Sequence, residues 1–372
     1  MEGTEERTNE TLVEKEQSAP QTQERSAWVD VAKGVGVCLV FLGHLWYYTD
    51  FPLLNQMIYS FHVPMFFLLS GWVLRRKAGE NFLTYVGKKF MRMLLPAIIY
   101  LVLTVPLYLC FDKPSTPGIA LETIFFYRGQ IAYNLPCWYF IILFGVLVLE
   151  RAFNVKRWHV IGKILLAAAC FVGGFFLYQS DVFVPFGVDK TVMSLGFLVT
   201  GMVMKEVTEK IRLTPVVHKI VLAVIFAVSV AGWVVFGVLL NPKISFYSVS
   251  LGNYWYFLPG ALFGSVWFFV LCYALAKYLK FLIPVGNSTI LIVGTHYVFV
   301  RGLFSMADML QIRWTGVFGV IAVVSVVVLT VLYVLVNKPL SKYVPWLVGA
   351  PIRKKKTPAA ERVRETIPAE KG

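Results

Sequence analysis

Between two polar ends, the chain is a succession of unbroken apolar runs separated by short polar or charged stretches. A helix needs about 20 mostly apolar residues to cross the hydrocarbon core of a bilayer. Ten runs approach that length: 28–48, 56–74, 93–112, 134–150, 159–179, 189–204, 218–240, 255–276, 282–303 and 314–336. The sixth is short, and the fourth carries Pro136 near its start. Strands of a membrane barrel would alternate apolar and polar with period two. These runs do not alternate, so the predicted fold class is an all-α integral membrane bundle of about ten transmembrane helices.

Composition agrees with that pattern. Of 372 residues, 58% are hydrophobic and 15% charged, against roughly 45–50% and 25% in soluble domains. A mean hydropathy of +0.68 excludes an ordinary soluble enzyme and a disordered chain alike. The net charge of +14 does not point to nucleic acid, because no basic patch is interleaved with base-stacking aromatics outside the apolar runs. The five cysteines are widely spaced within apolar runs and form no CxxC pair. Buried free thiols are therefore expected, not a zinc site or a disulfide framework. Residues 1–27 form a polar segment without a signal-peptide core, expected to be a disordered cytoplasmic tail before a membrane domain over 28–340. Residues 341–372, with Lys354, Lys355 and Lys356, are expected to form a basic tail.

The positive charges orient the bundle. If the N-terminus is cytoplasmic, 28 Lys and Arg fall in the tails and inner loops, six in outer loops, and Lys33 inside the first span. That asymmetry predicts ten crossings with both termini cytoplasmic.

Polar residues inside spans are costly and mark function by default. The first span contains Asp30, Lys33 and His44. At about 100° per residue, Lys33 and His44 fall within about 20° of one face, and Asp30 about 40° to the other side. His44 then lies roughly 16 Å along the axis from Lys33. Asp30 and Lys33 would also make sense as a snorkelling interfacial pair, but His44 is too far along to share that interface. His62 in the second span and His296 in the ninth sit at a similar depth, in the outer third of the membrane. His159 and His218 fall at inner loop edges.

The order D-x-x-K-G-x(9)-H, SFHVPMFFLLSGW, KKFMRMLLP, LPCWYF and VGNSTILIVGTH resembles the acyltransferase-3 family of membrane acyltransferases, over residues 25 to about 340. The branch it is most similar to O-acetylates sugars of bacterial surface glycans. The family pattern of Arg or Lys, ten residues, then an essential His is matched by Lys33 and His44. The resemblance implies transfer of an acyl group, acetyl for preference, from cytoplasmic acyl-coenzyme A to a surface glycan or glycolipid in the bacterial inner membrane. Lys88, Lys89 and Arg92, with Arg75 and Arg76, are candidates to hold the polyanionic donor, although the positive-inside rule alone would also place them.

His44 is the candidate general base, since a near-neutral imidazole can take the proton of an attacking hydroxyl; an acyl-His intermediate stays open. His62 would orient the acceptor or stabilise the oxyanion, with Ser60 and Ser70 as weaker options. Asn287 and Ser288 accompany His296, a further partner on the acceptor side. Three histidines without a spaced carboxylate or thiolate argue against a metal. Trp138, Trp255, Arg128, Asn134 and Asn253 are candidate acceptor contacts, competing with the aromatic belt that any membrane protein carries. A glycan exporter or a structural membrane subunit are the rival readings.

Overall fold

The structure, a computed structural model, describes residues 27–46, 52–111, 134–180, 185–241, 244–311 and 316–350. The expected N-terminal tail, most of the C-terminal tail, the 113–133 loop and Arg128 lie outside the described residues.

Nine helices among the described residues are long and apolar enough to cross a membrane. The first is α1 (Ala27–Trp46). The segment expected as one helix over 56–74 is instead two short ones, α2 (Pro52–Tyr59) and α3 (His62–Trp72). The break falls at Ser60–Phe61, where Phe61 leaves helical geometry at φ −141° and ψ −19°. Pro64 then sits in the first turn of α3, where its missing N–H costs no hydrogen bond. Side chains tether this break to the elements around it. Gln56 donates through Nε2 to the carbonyls of Val238 and Asn241, at 2.9 Å each. Asn55 donates to the Gly43 carbonyl at 2.8 Å. The Ser60 hydroxyl donates to the Met57 carbonyl and accepts from the Trp233 indole at 2.8 Å.

The third span begins earlier than its apolar run. Helix α4 (Phe82–Lys89) passes through a π-helical turn at Phe90–Leu94 into α5 (Leu95–Phe111). Lys88, Lys89 and Arg92 are therefore helical, not in a loop. Long basic side chains can ride on a helix while their charges reach the interface, so a hydropathy count ends the run too soon. After a 3₁₀ turn at Leu135–Cys137 come α6 (Trp138–Ala152), α7 (Val160–Gln179), α8 (Val188–Lys210) and α9 (Pro215–Trp233). The sixth span, short by hydropathy, is thus a 23-residue helix. Helix α9 ends in a π-helical turn at Val234–Leu239 and is followed by α10 (Tyr254–Leu275). The ninth span starts with a short helix α11 (Ile283–Asn287), bends at Ser288, and continues as α12 (Thr289–Met309). Helix α13 (Gly316–Tyr343) closes the bundle.

The chain stays packed after position 340. The Tyr100 hydroxyl donates to the Leu347 carbonyl at 2.6 Å, and Val348 is buried.

Glycines let backbones touch where helices cross, as is usual in membrane bundles. A Cβ on Gly71 of α3 would run into the Leu198 carbonyl of α8, and one on Gly201 into the Leu68 carbonyl. Gly34 of α1 meets the Leu282 carbonyl in the same way, and Gly286 of α11 meets the Asp30 carbonyl. Two widely separated sequence motifs interlock there. Gly201→Ala is expected to cost about 1–3 kcal/mol through overpacking, read as a lower Tm in detergent. Gly302→Ala, whose Cβ would meet nothing within 4 Å, should leave Tm unchanged. Equal Tm values for the two variants would refute the backbone contact.

Candidate active site

One cavity of about 480 Å³ runs between α1, α3, α6 and the α11–α12 bend. Lys33 and His44 both line it, as a shared face on α1 requires. Asn287, Thr289, Ser341, Val348, Gly349 and Ala350 also line it. His62, Ser70, Trp138 and Tyr139 also line it. Asp30 is buried behind Lys33, its carboxylate 3.6 Å from Nζ.

The three histidines expected at one depth do converge. The rings of His44 and His296 are 5.3 Å apart, centre to centre. His44 and His62 are linked through Tyr59, whose ring lies 6.2 Å from His44 and 4.9 Å from His62. The Tyr59 hydroxyl is 3.4 Å from His44 Nδ1. Tyr297 packs edge-on against His44 at 5.3 Å.

Hydrogen bonds assign two of the tautomers. His62 Nδ1 is 2.9 Å from the Ile58 carbonyl, and His296 Nδ1 is 2.7 Å from the Ile292 carbonyl. A carbonyl only accepts, so each Nδ1 carries a proton, and in the neutral ring Nε2 holds the lone pair. His62 thus lines the cavity with its Nδ1 already engaged by the main chain. His296 is fully buried, and its Nε2 has no hydrogen-bond partner among the described residues.

Trp138 is stacked on Phe246 at 5.9 Å, with Lys190 Nζ 5.4 Å from its ring centre. Asn253, Trp255 and Asn134 do not join it. Asn253 caps α10, accepting the Trp255 N–H at 3.0 Å. Trp255 is 53% exposed against Phe175. Asn134 is buried and donates to the Gly294 carbonyl at 2.8 Å, two residues before His296. None of these three lines the cavity. Ser60, held between Met57 and Trp233, does not line it either.

The basic residues assigned to donor binding lie outside the cavity wall. Arg76 is committed to the buried Glu150, at 2.6 Å, and to Asn154. Lys88 bonds Glu80 at 2.6 Å, and that bond holds the Glu80 carboxyl below its usual range. Lys89 lies over the Tyr85 ring at 5.4 Å. Arg75 and Arg92 are exposed, and Met93, next to Arg92, lines the cavity. Among the described residues, no three His, Cys, Asp or Glu side chains are grouped to hold a metal ion. Cys38, Cys137, Cys170 and Cys272 are free thiols.

Sequence reasoning missed Tyr59, Tyr297 and the 348–350 segment. Tyr59 stands three residues before His62, a spacing that a continuous helix would also give, so only the break reveals its partner.

The sequence profile of the acyltransferase-3 family, described as an acyltransferase domain, matches residues 26–336. That range takes in α1, both halves of the broken second span, and His296. This chain belongs to the acyltransferase-3 family. Its nine long apolar helices and this membership together describe a multi-pass membrane protein of that family. This chain is also similar to the nodulation protein NolL of Mesorhizobium japonicum, with 34% identity over 92 residues. The alignment covers 21% of this chain and 24% of that relative, so the chain spans about a quarter of the length of the protein it matches. No solved structure matches the chain.

Proposed function

We propose that this acyltransferase moves an acyl group, acetyl for preference, from cytoplasmic acyl-coenzyme A to a hydroxyl of a cell-envelope glycan, in the bacterial cytoplasmic membrane. The observation that carries the reading is that one cavity contains Lys33 and, eleven residues along the same helix, His44, with His62 and Trp138 on the same wall. The charge distribution supports cytoplasmic termini and a Lys33 end facing the cytoplasm. Donor and acceptor then approach from opposite membrane faces and meet at the histidines.

In the reaction, the acceptor hydroxyl oxygen attacks the thioester carbonyl carbon while its proton passes to His44. The C–S bond breaks, and the thiolate leaves with the proton returned from the imidazole. Lys33 attracts the anionic donor and neutralises charge along its path. A volume of about 480 Å³ is modest among small-molecule sites. With the thioester arm inside, it favours a short acyl group. Trp138, on the cavity lining, adds apolar surface on the acceptor side.

The residues around the inner mouth recruit the donor's phosphates. Neutralising Lys88, Lys89 and Arg92 together is expected to raise KM for acetyl-coenzyme A several-fold, with little change in kcat, and to weaken its salt dependence. An unchanged KM would leave these residues as a topology signal only.

Glycan export is the second reading, favoured by the break at Ser60 and the bend at Ser288, since discontinuous helices are a feature of transporters. Mass spectrometry of envelope glycans with and without the gene separates the two. Loss of an ester-linked acyl group at unchanged glycan abundance supports transfer. Loss of the glycan itself supports export.

A further inference from the structure

Two of the three clustered histidines are oriented by the main-chain carbonyl four residues earlier, His62 across the break by Ile58 of α2 and His296 by Ile292 within α12. His44 differs. Its Nδ1 faces a side chain from another element, the Tyr59 hydroxyl at 3.4 Å. That separation is at the long end for a hydrogen bond, as is common before substrates close a site.

The placement of Tyr59 is specified on every side. It is the last residue of α2, immediately before the break. Gln56 ties α2 to the end of α9, and Asn55 ties it to the Gly43 carbonyl, one residue from His44. Gly43 is also what admits the ring: a Cβ there would come within 3.0 Å of Tyr59 Cε2 and 3.3 Å of Ile58 Cγ2. The Tyr59 ring meanwhile packs on His62. An uninterrupted helix through Ser60 would not need these clamps.

We propose that Tyr59 is a positioning residue for His44: its oxygen accepts the Nδ1 proton, which leaves the Nε2 lone pair available to the acceptor hydroxyl. The assignment rests on the acyl-transfer reading above. When the hydroxyl proton reaches Nε2, the Tyr59 oxygen still accepts from Nδ1–H of the imidazolium, and the proton on Nε2 goes on to the departing thiolate. Tyr59 itself neither gains nor loses a proton in this step. The broken helix thus has a chemical purpose, carrying an oxygen to a histidine on a different helix.

The test uses the full-length protein in proteoliposomes, with acetyl-coenzyme A as donor and glycan from a gene-deletion strain as acceptor, following thiol release and glycan esterification. Tyr59→Phe keeps the ring and its packing on His62. It is expected to lower kcat on the order of 10- to 100-fold, the cost typical of removing the group that orients a functional imidazole, with KM for acetyl-coenzyme A and Tm unchanged. Gly43→Ala, which pushes the ring away from α1, should give the same pattern. An active wild type with an equally active Tyr59→Phe protein overturns the assignment alone. A loss that appears in KM or tracks a fall in Tm also overturns it, since packing would then explain the effect. A wild type that neither releases thiol nor esterifies glycan brings down the acyl-transfer reading and the role of Tyr59 with it.

Discussion

His44→Ala protein is expected to accumulate in the membrane at the wild-type level, unfold at the wild-type temperature, and transfer no detectable acyl group. Loss of a general base typically costs about 10²–10⁴ in rate, enough to erase an ester from surface glycan in growing cells. His44→Gln keeps much of the size and hydrogen bonding but not the basicity, so it should fail as well. Folding should survive both changes, because His44 lines a cavity and the bundle is held by the glycine-mediated contacts of α3 with α8 and of α1 with α11. Esterified glycan from a stably expressed His44→Ala protein would remove His44 from the chemistry. The base would then pass to His62, whose Nδ1 is held by the Ile58 carbonyl so that its neutral ring would offer Nε2.

Lys33→Met should be nearly as damaging, by a different route. Lys33 is the cation on the cavity wall, and its removal takes away the positive charge along the donor path. It also strips the buried Asp30 of its ion pair. Breaking a fully buried pair costs about 3–5 kcal/mol; here Lys33 keeps 21% of its side chain exposed and the separation is 3.6 Å, so the stability loss should fall below that range. KM for acetyl-coenzyme A should rise at least tenfold and Tm should drop. Lys33→Arg retains the charge and should keep most of the activity. A Lys33→Met protein with wild-type KM would show that donor binding does not depend on this charge. Asp30→Asn,Lys33→Met should recover Tm but not KM, separating the structural effect from the functional one.

What could be read without coordinates lies mostly within single helices. Membrane class follows from the apolar runs, because any bilayer-spanning segment must satisfy its own backbone. The shared face of Lys33 and His44 follows from helical periodicity, which is local and nearly invariant. The motifs that place the chain in its family are likewise contiguous stretches, so their order survives without knowledge of packing. Even the common depth of His44, His62 and His296 could be counted from span ends.

The tertiary structure decided everything that depends on which helices touch. Arg76 reads as a donor contact in sequence, yet Glu150, 74 residues away, has claimed it. Trp138 and Trp255 are alike as sequence signals, but packing puts the first on the cavity wall and the second 53% exposed. Hydropathy runs straight through Ser60, because a broken helix has the same composition as a continuous one. The break is stabilised by Gln56, Asn55 and Trp233 reaching partners as many as 185 positions distant. Tyr59 reaches His44 only because of it. Periodicity and hydropathy are sums over neighbours in the chain, whereas a site between helices is built from neighbours in space, and in this protein close glycine contacts and side-chain clamps determine who those neighbours are.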